Sequence, residues 1–271
     1  MINEIRKIPV FVIRDFQLLL SYKLAFFSSM ISSVFTIFYF VLFGSMFSAI
    51  AVPLIVPEGG GYISYILVGS IGWSFMWTIM NITASSLSTE MMLGTLESIL
   101  STPTKVFTIM VSYTIFGAFF GLATIGVLLL IGYFVFGVSV FASASIFTLI
   151  IFVLSSLMMM GFGLIFGGLT IWLKNIGETV PLLQNIVMFF CGVYFPISVL
   201  PGFMQPLSKA LPFYYSIQGL RKSLIATTPT SELMHYTILL LEFAVAFILF
   251  GIVVLKLGLN KAKTEGSLSY Y

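Results

Sequence analysis

The chain has 271 residues, 59% of them hydrophobic and 8% charged, and a mean hydropathy of +1.14. Soluble domains carry roughly 25% charged residues, and no water-soluble core absorbs this much apolar surface, so the composition indicates an integral membrane protein. The net charge of +3 is too mild to indicate a nucleic-acid partner, and the single cysteine, Cys191, makes no internal disulfide and belongs to no metal-ligand spacing.

Residues 1–23 set the bases Arg6, Lys7, Arg14 and Lys23 against Glu4 and Asp15. Ile13, Phe16 and Leu20 fall on one side of a helical wheel, and Arg14, Gln17 and Ser21 on another. The pattern predicts an amphipathic helix lying along the inner membrane surface, divided near Pro9. This segment is too charged for a cleavable signal peptide and lacks a small-residue cleavage site, so it is expected to be retained. Residues 24–50 carry no charge and form the first predicted span. A loop with Pro53, Pro57, Glu58 and Gly59 to Gly61 follows. Tyr62 to Ser88 is the second predicted span, with Trp73 and Trp77 one turn apart.

Next comes Glu90 to Pro103, EMMLGTLESILSTP. On one wheel, Glu90, Gly94, Glu97 and Ser101 share a face, and Met92, Leu93, Leu96, Ile99 and Leu100 share the other. Pro103 removes a backbone donor and ends the helix. The pattern predicts one short amphipathic helix at the membrane surface, with both carboxylates turned to water or to a partner. An interfacial connector has the same pattern.

Residues 106–173, between Lys105 and Lys174, are uncharged and suit two crossings, Val106 to Phe136 and Ala144 to Leu173, joined by a turn at Gly137 to Ser143. Gly117 and Gly121, like Gly163 and Gly167, are four apart, a spacing that lets helix backbones approach. After a polar turn, Thr179 to Phe195 is a fifth predicted span, near the lower length limit. Pro196, Pro201, Pro206 and Pro212 then punctuate an irregular stretch. Two short helices are expected between Leu200 and Leu224, dipping into the outer leaflet without crossing, with Tyr214 and Tyr215 suited to the interface. Tyr236 to Leu257 is the sixth predicted span. Six spans put both termini on one side. Arg6, Lys7, Arg14, Lys23, Lys105, Lys174, Lys256, Lys261 and Lys263 fall on that side, and only Lys209, Arg221 and Lys222 on the other. The positive-inside rule therefore predicts cytoplasmic termini and a cytoplasmic Glu90–Pro103 segment.

The sequence contains no GxxxxGK[ST] phosphate loop, so ATP binding in the usual way is not expected of this chain. Glu242 is the only candidate carboxylate inside a span for a proton- or sodium-driven carrier. The alternative is a polar group near the outer interface or at a helix contact. His235, the only histidine, has no evident nucleophile near it in sequence. The chain thus lacks an engine of its own, and an acidic helix on the cytoplasmic side is a handle for a separate one.

Two stretches resemble the permease subunits of type-2 ATP-binding-cassette exporters. The first is Glu90, Gly94-Thr95-Leu96-Glu97, Leu100 and Thr102-Pro103. The second is Phe195-Pro196, Leu200-Pro201, Leu211-Pro212, Tyr215 and Arg221. The resemblance covers nearly the whole chain. It implies an all-helical domain of six spans over residues 24–258, a connecting helix over 1–23, a coupling helix over 90–103, an external re-entrant segment over 196–224 and a cytoplasmic tail over 259–271. It implies a non-catalytic subunit in the cell membrane that pairs with a second permease subunit, identical or related, and docks on a separate ATPase that binds ATP and Mg. Docking residues carried over are Glu90, Gly94, Thr95, Leu96 and Glu97, with Arg14 and Asp15 on the connecting helix. Glu90 and Glu97 are expected to meet the ATPase, and Leu93, Leu96 and Leu100 to anchor the helix. Phe195, Pro196, Leu200, Pro201 and Pro212 are expected to close the outer end. Phe38, Tyr39, Trp73 and Trp77 are candidates for the substrate path. The uncharged spans favour a hydrophobic or amphipathic cargo, drug or lipid. A lipid-linked or polymeric glycan is the alternative within the class. A self-contained proton-coupled carrier using Glu242 and a non-transporting scaffold are the alternatives outside it.

Overall fold

The computed structural model describes residues 2–21, 61–138, 144–173, 179–226 and 228–265, with isolated positions between 24 and 42. In chain order the helices are α1 (Ile2–Ile5), α2 (Ile8–Ser21), α3 (Tyr62–Met92), α4 (Leu96–Ser101), α5 (Val106–Phe134), α6 (Ile146–Leu173), α7 (Thr179–Phe190), α8 (Gln205–Ala210), α9 (Pro212–Leu224) and α10 (Thr230–Glu265), with one 3-10 turn at Ile197–Val199. No strand occurs among the described residues. α3, α5, α6 and α10 are long and apolar enough to cross a membrane.

The predicted first span, 24–50, lies for the most part outside the described residues. Of its described positions, Phe38 packs its ring 5.5 Å from that of Phe136, and Val41 is buried in the core. The predicted fifth span is shorter than its apolar run. α7 has 12 residues, about 18 Å at 1.5 Å per residue, against a hydrocarbon core of about 30 Å. The chain leaves the helix at Cys191, and Gly192 takes a left-handed φ of 69°, which glycine adopts without steric cost.

α3 is the hub. It is buried along most of its length and packs against α5, α6 and α9. Gly117 and Gly121 of α5 lie against Ile79 and Phe75 of α3, and Gly163 and Gly167 of α6 lie against Thr83 and Leu87. A closer seam joins α6 to α10. A Cβ on Gly251 would lie 2.7 Å from the Gly161 carbonyl oxygen, and one on Gly258 would run into the Gly168 carbonyl. These glycines are spaced by seven, two turns along each helix, and the two backbones touch at both levels.

At the N-terminus the helix breaks at Arg6 and Lys7, not at Pro9. Pro9 sits in the first turn of α2, where its missing N–H would have had no intrahelical partner. α2 packs on α5, with the Phe16 ring 5.1 Å from Phe116 in an edge contact.

Candidate functional site

The Glu90–Pro103 segment is not one helix. α3 runs through Glu90 to Met92 and is closed by Gly94, whose φ is 68°. The Gly94 N–H donates to the Met91 carbonyl at 3.1 Å and the Thr95 N–H to the Glu90 carbonyl at 3.0 Å. This is the Schellman closure that a left-handed glycine permits. α4 then makes a separate turn and a half that ends before Pro103. The break separates the two carboxylates that a continuous wheel placed together. Glu97 is exposed, whereas Glu90 is 5% exposed and faces the interior.

Glu90 is the centre of a polar cluster between α2, α3 and α5. Its Oε1 accepts from the Tyr113 hydroxyl at 2.6 Å and is paired with Arg14 Nη2 at 2.9 Å. Its Oε2 accepts from the Thr95 hydroxyl. Arg14 also donates to the Tyr113 hydroxyl oxygen at 2.6 Å and forks onto Asp15 Oδ1 through Nε and Nη2, at 3.1 and 2.9 Å. Burial pushes the Asp15 carboxyl above its ordinary range, against the pull of Arg14. A buried carboxylate requires this many donors, since leaving one unpaired costs several kcal/mol, on the order of 3–5.

α1 grips the same segment from its other end. Glu4 Oε2 accepts from the Thr108 hydroxyl at 2.7 Å and from the Lys105 N–H at 3.2 Å, so it caps the start of α5. Lys7 pairs with Glu4 at 2.8 Å and donates to the Pro103 carbonyl at 2.8 Å. Hydrogen bonds from Lys7, Thr108 and the Lys105 N–H hold Glu4 at about 2, well below its ordinary value.

With its back clamped, the segment turns Met92 and Leu93 outward, at 66% and 67% exposure, beside Thr95, Glu97 and Ser98. Leu93 therefore does not anchor the segment to the rest of the chain. That role falls to Leu96, which is buried at the junction with Met91 and Met110. The Leu100 side chain lies outside the described residues. Tyr113 was not singled out from the sequence. It is a phenol in an apolar span, two turns after Lys105, and its need for a hydrogen-bond partner was the available signal.

The second set of candidates lies at the other end of α3. Pro196, Leu200 and Pro212 are buried, Phe195 is half-buried with its ring edge-on to Phe189 at 5.4 Å, and Pro201 is exposed. Trp73 is buried and stacks on the half-buried Trp77 at 5.6 Å, while Phe38 is half-buried and Tyr39 exposed. Arg221, counted above as a base facing one membrane surface, is completely buried and leaves that tally. Glu242 sits on the exposed side of α10, so it does not line a route through the interior of this chain. Among the described residues, no three His, Cys, Asp or Glu side chains gather as a metal site.

A family model described as ABC-2 type transporter matches residues 10–225. This chain belongs to the ABC-2 type transporter family. It is the membrane permease component of an ABC transporter, and the family implies association with an ATP-binding subunit. The match starts inside α2 and runs past α9, so it takes in both the Glu90 cluster and the segment around Arg221. No curated protein matches this ABC-2 permease.

Proposed function

We propose that this permease exports a hydrophobic or amphipathic substrate, drug or lipid, driven by a separate ATPase that docks on the surface of Met92, Leu93, Thr95 and Glu97. The observation that carries the reading is this surface: two exposed aliphatic side chains with a carboxylate beside them, held from behind by Arg14, Glu90 and Tyr113. An exposed apolar pair on a clamped turn is suited to fill a pocket on a partner and to pass on its movement. Glu90 acts here as an internal strut, and Glu97 meets the ATPase. Arg14 and Asp15 hold the strut and do not touch the partner. ATP and Mg belong to the partner, a second permease subunit completes the path, and both termini lie in the cytoplasm.

An amphipathic cargo agrees with two features. A cleft of about 270 Å³ opens between α5 and α6, lined by Ile71, Leu122, Ile125, Leu149 and Phe152, and its surface is almost wholly apolar. Drug-sized pockets run to about 300–1,000 Å³, so the cleft fits a single hydrocarbon chain better than a whole ligand. The incompletely buried stripe of α3 is largely polar: Ser74, Trp77, Thr78, Asn81, Ser85 and Thr89. Hydroxyl and amide groups along a membrane-spanning helix suit a headgroup. Trp77 on the same stripe also suits stacking on a sugar, which keeps a lipid-linked glycan as the second reading.

The test is affinity purification of the tagged permease from its native membrane in mild detergent. A co-purifying subunit with a phosphate loop, lost from Leu93→Asp and Glu97→Lys while the permease itself stays monodisperse, is the expected result. Retention of that subunit in both variants overturns the docking assignment.

A further inference from the structure

Arg221 is the largest side chain that is fully buried in the described structure. It projects from the third turn of α9 into the interior beside the first two turns of α3. Its Nη2 donates to the Val193 carbonyl at 2.7 Å. Its guanidinium carbon lies 3.6 Å from the centre of the Tyr65 ring, close enough for stacking and cation–π attraction together. Tyr65 in turn donates its hydroxyl to the Gly192 carbonyl at 3.1 Å. The space for this arrangement is made by Gly69. A Cβ there would run into the Val193 oxygen and lie 2.6 Å from Arg221 Nη2. One guanidinium and one phenol from two different helices thus hold the consecutive carbonyls of Gly192 and Val193, where the chain leaves α7 and begins its run toward α8 and α9.

We infer that Arg221 is a positioning residue that fastens the Cys191–Leu224 segment to α3, so that movement of α3 releases or closes this end of the permease. The inference rests on the exporter reading for its driving force and on the geometry alone for the fastening. Tyr65 and Glu90 stand at opposite ends of one unbroken helix, about 37 Å apart at 1.5 Å per residue. Glu90 ties the docking end of α3 to α2 and α5. Tyr65 and Gly69 tie its other end to Arg221. A displacement imposed on Leu93 therefore reaches the Gly192 and Val193 carbonyls through a single rod. Only an arginine fits: a lysine keeps the charge and loses the planar face over Tyr65 together with the fixed angle of the donor.

The chain carries its own reporter. Cys191, its single cysteine, is fully buried and lies two residues before Val193. The experiment measures N-ethylmaleimide labelling of Cys191 in the purified permease–ATPase complex in lipid nanodiscs, without nucleotide and with MgATP. Wild type is expected to label slowly without nucleotide and faster with MgATP. Arg221→Met is expected to label roughly tenfold faster or more without nucleotide, as loss of a charge-assisted hydrogen bond predicts. It should also lose the response to MgATP while the complex still hydrolyses ATP. Arg221→Lys and Tyr65→Phe should fall between, and Lys222→Met, whose side chain pairs with Glu232, should behave as wild type. A purely structural role would raise labelling and leave the nucleotide response intact. Unchanged labelling in Arg221→Met overturns the fastening. If that variant does not assemble, unchanged labelling and an unchanged nucleotide response in both Arg221→Lys and Tyr65→Phe overturn it instead. A wild-type complex that hydrolyses ATP with no change in Cys191 labelling overturns the coupling role. If no ATPase accompanies the chain, the exporter reading falls, and the nucleotide-free labelling still decides the fastening.

Discussion

Glu90→Gln isolates the charge of the strut from its shape. The substitution keeps the side-chain length and leaves one oxygen to accept from Tyr113, whose hydroxyl lies 2.6 Å from Glu90 Oε1. It removes the partner of Arg14 at 2.9 Å and sets an amide N–H₂ in place of one acceptor, where Oε2 receives the Thr95 hydroxyl. Hydrogen bonds to a charged group contribute about 1.5–3 kcal/mol each. The Arg14 side chain is 34% exposed and keeps Asp15, so solvent screens part of the loss. The net destabilisation expected is about 2 kcal/mol. A double-mutant cycle with Tyr113→Phe should give a coupling of about 1–2 kcal/mol, because the Tyr113 hydroxyl donates to the carboxylate that the substitution neutralises. The assay is thermal unfolding of the purified permease in one detergent, with Glu97→Gln as the comparison. Glu97 is exposed, and its variant should stay within about 0.5 kcal/mol of wild type. A Glu90→Gln variant as stable as wild type, or a Glu97→Gln variant equally destabilised, refutes the strut.

The α6–α10 seam predicts a contrast between two glycines. Gly258→Ala drives a methyl into the Gly168 carbonyl and should cost about 1–3 kcal/mol or more, whereas Gly126→Ala meets nothing within 4 Å and should be neutral or stabilising by about 0.4–1 kcal/mol; thermal unfolding separates them. Glu4 predicts a pH signature. Its folded value of about 2 lies below the ordinary 4.5, so its contribution is complete above about pH 4.5 and declines as pH falls toward 2. The gap in unfolding temperature between wild type and Glu4→Gln, measured from pH 6 down to pH 2, should therefore be largest at the upper end and narrow below pH 4.5.

The long apolar helices were legible because they require only an absence of charge over some twenty residues. What escaped was set by single residues that act on geometry or by pairs distant in sequence. The wheel drawn through Glu90–Pro103 passed over Gly94, yet a glycine followed by a polar residue after an apolar run is a helix-stop signal. Reading it as one would have freed Glu90 from Glu97. The partners of Glu90, Arg14 and Tyr113, lie 76 and 23 residues away, and no local pattern joins them. Arg221 was legible in part. It falls within the apolar stripe Phe213, Ile217, Leu220 and Leu224 of α9, so a helical wheel of that segment would have pointed it inward, whereas the charge tally placed it at a membrane surface. The search for glycines four apart found the contacts of α5 and α6 with α3 and missed those of α6 with α10, because a seam of two helices running side by side can repeat every seven residues.

On the docking proposed above, a displacement at the Leu93 turn has to travel to the Arg221 end, and the helix packing bears on its route. α6 and α10 meet backbone to backbone at Gly161, Gly168, Gly251 and Gly258. Beside these contacts Phe162 stacks on Phe247 at 4.2 Å, so the two helices are joined by backbone and side-chain packing together. α5 is held at its start by Glu4 and Arg14. α3 meets its neighbours through side chains such as Phe75 and Thr83 and also through its backbone, since a Cβ on Gly117 would lie 3.1 Å from the Ile79 Cα. It is also the helix that carries a charged or aromatic tie at each end, Glu90 at one and Tyr65 against Arg221 at the other. Under that docking, a push on Leu93 would be resisted by the Glu90 strut and carried along the α3 axis to the close contact at Gly69. On the docking proposed above, these two ties are the reason to assign α3 as the transmitting element.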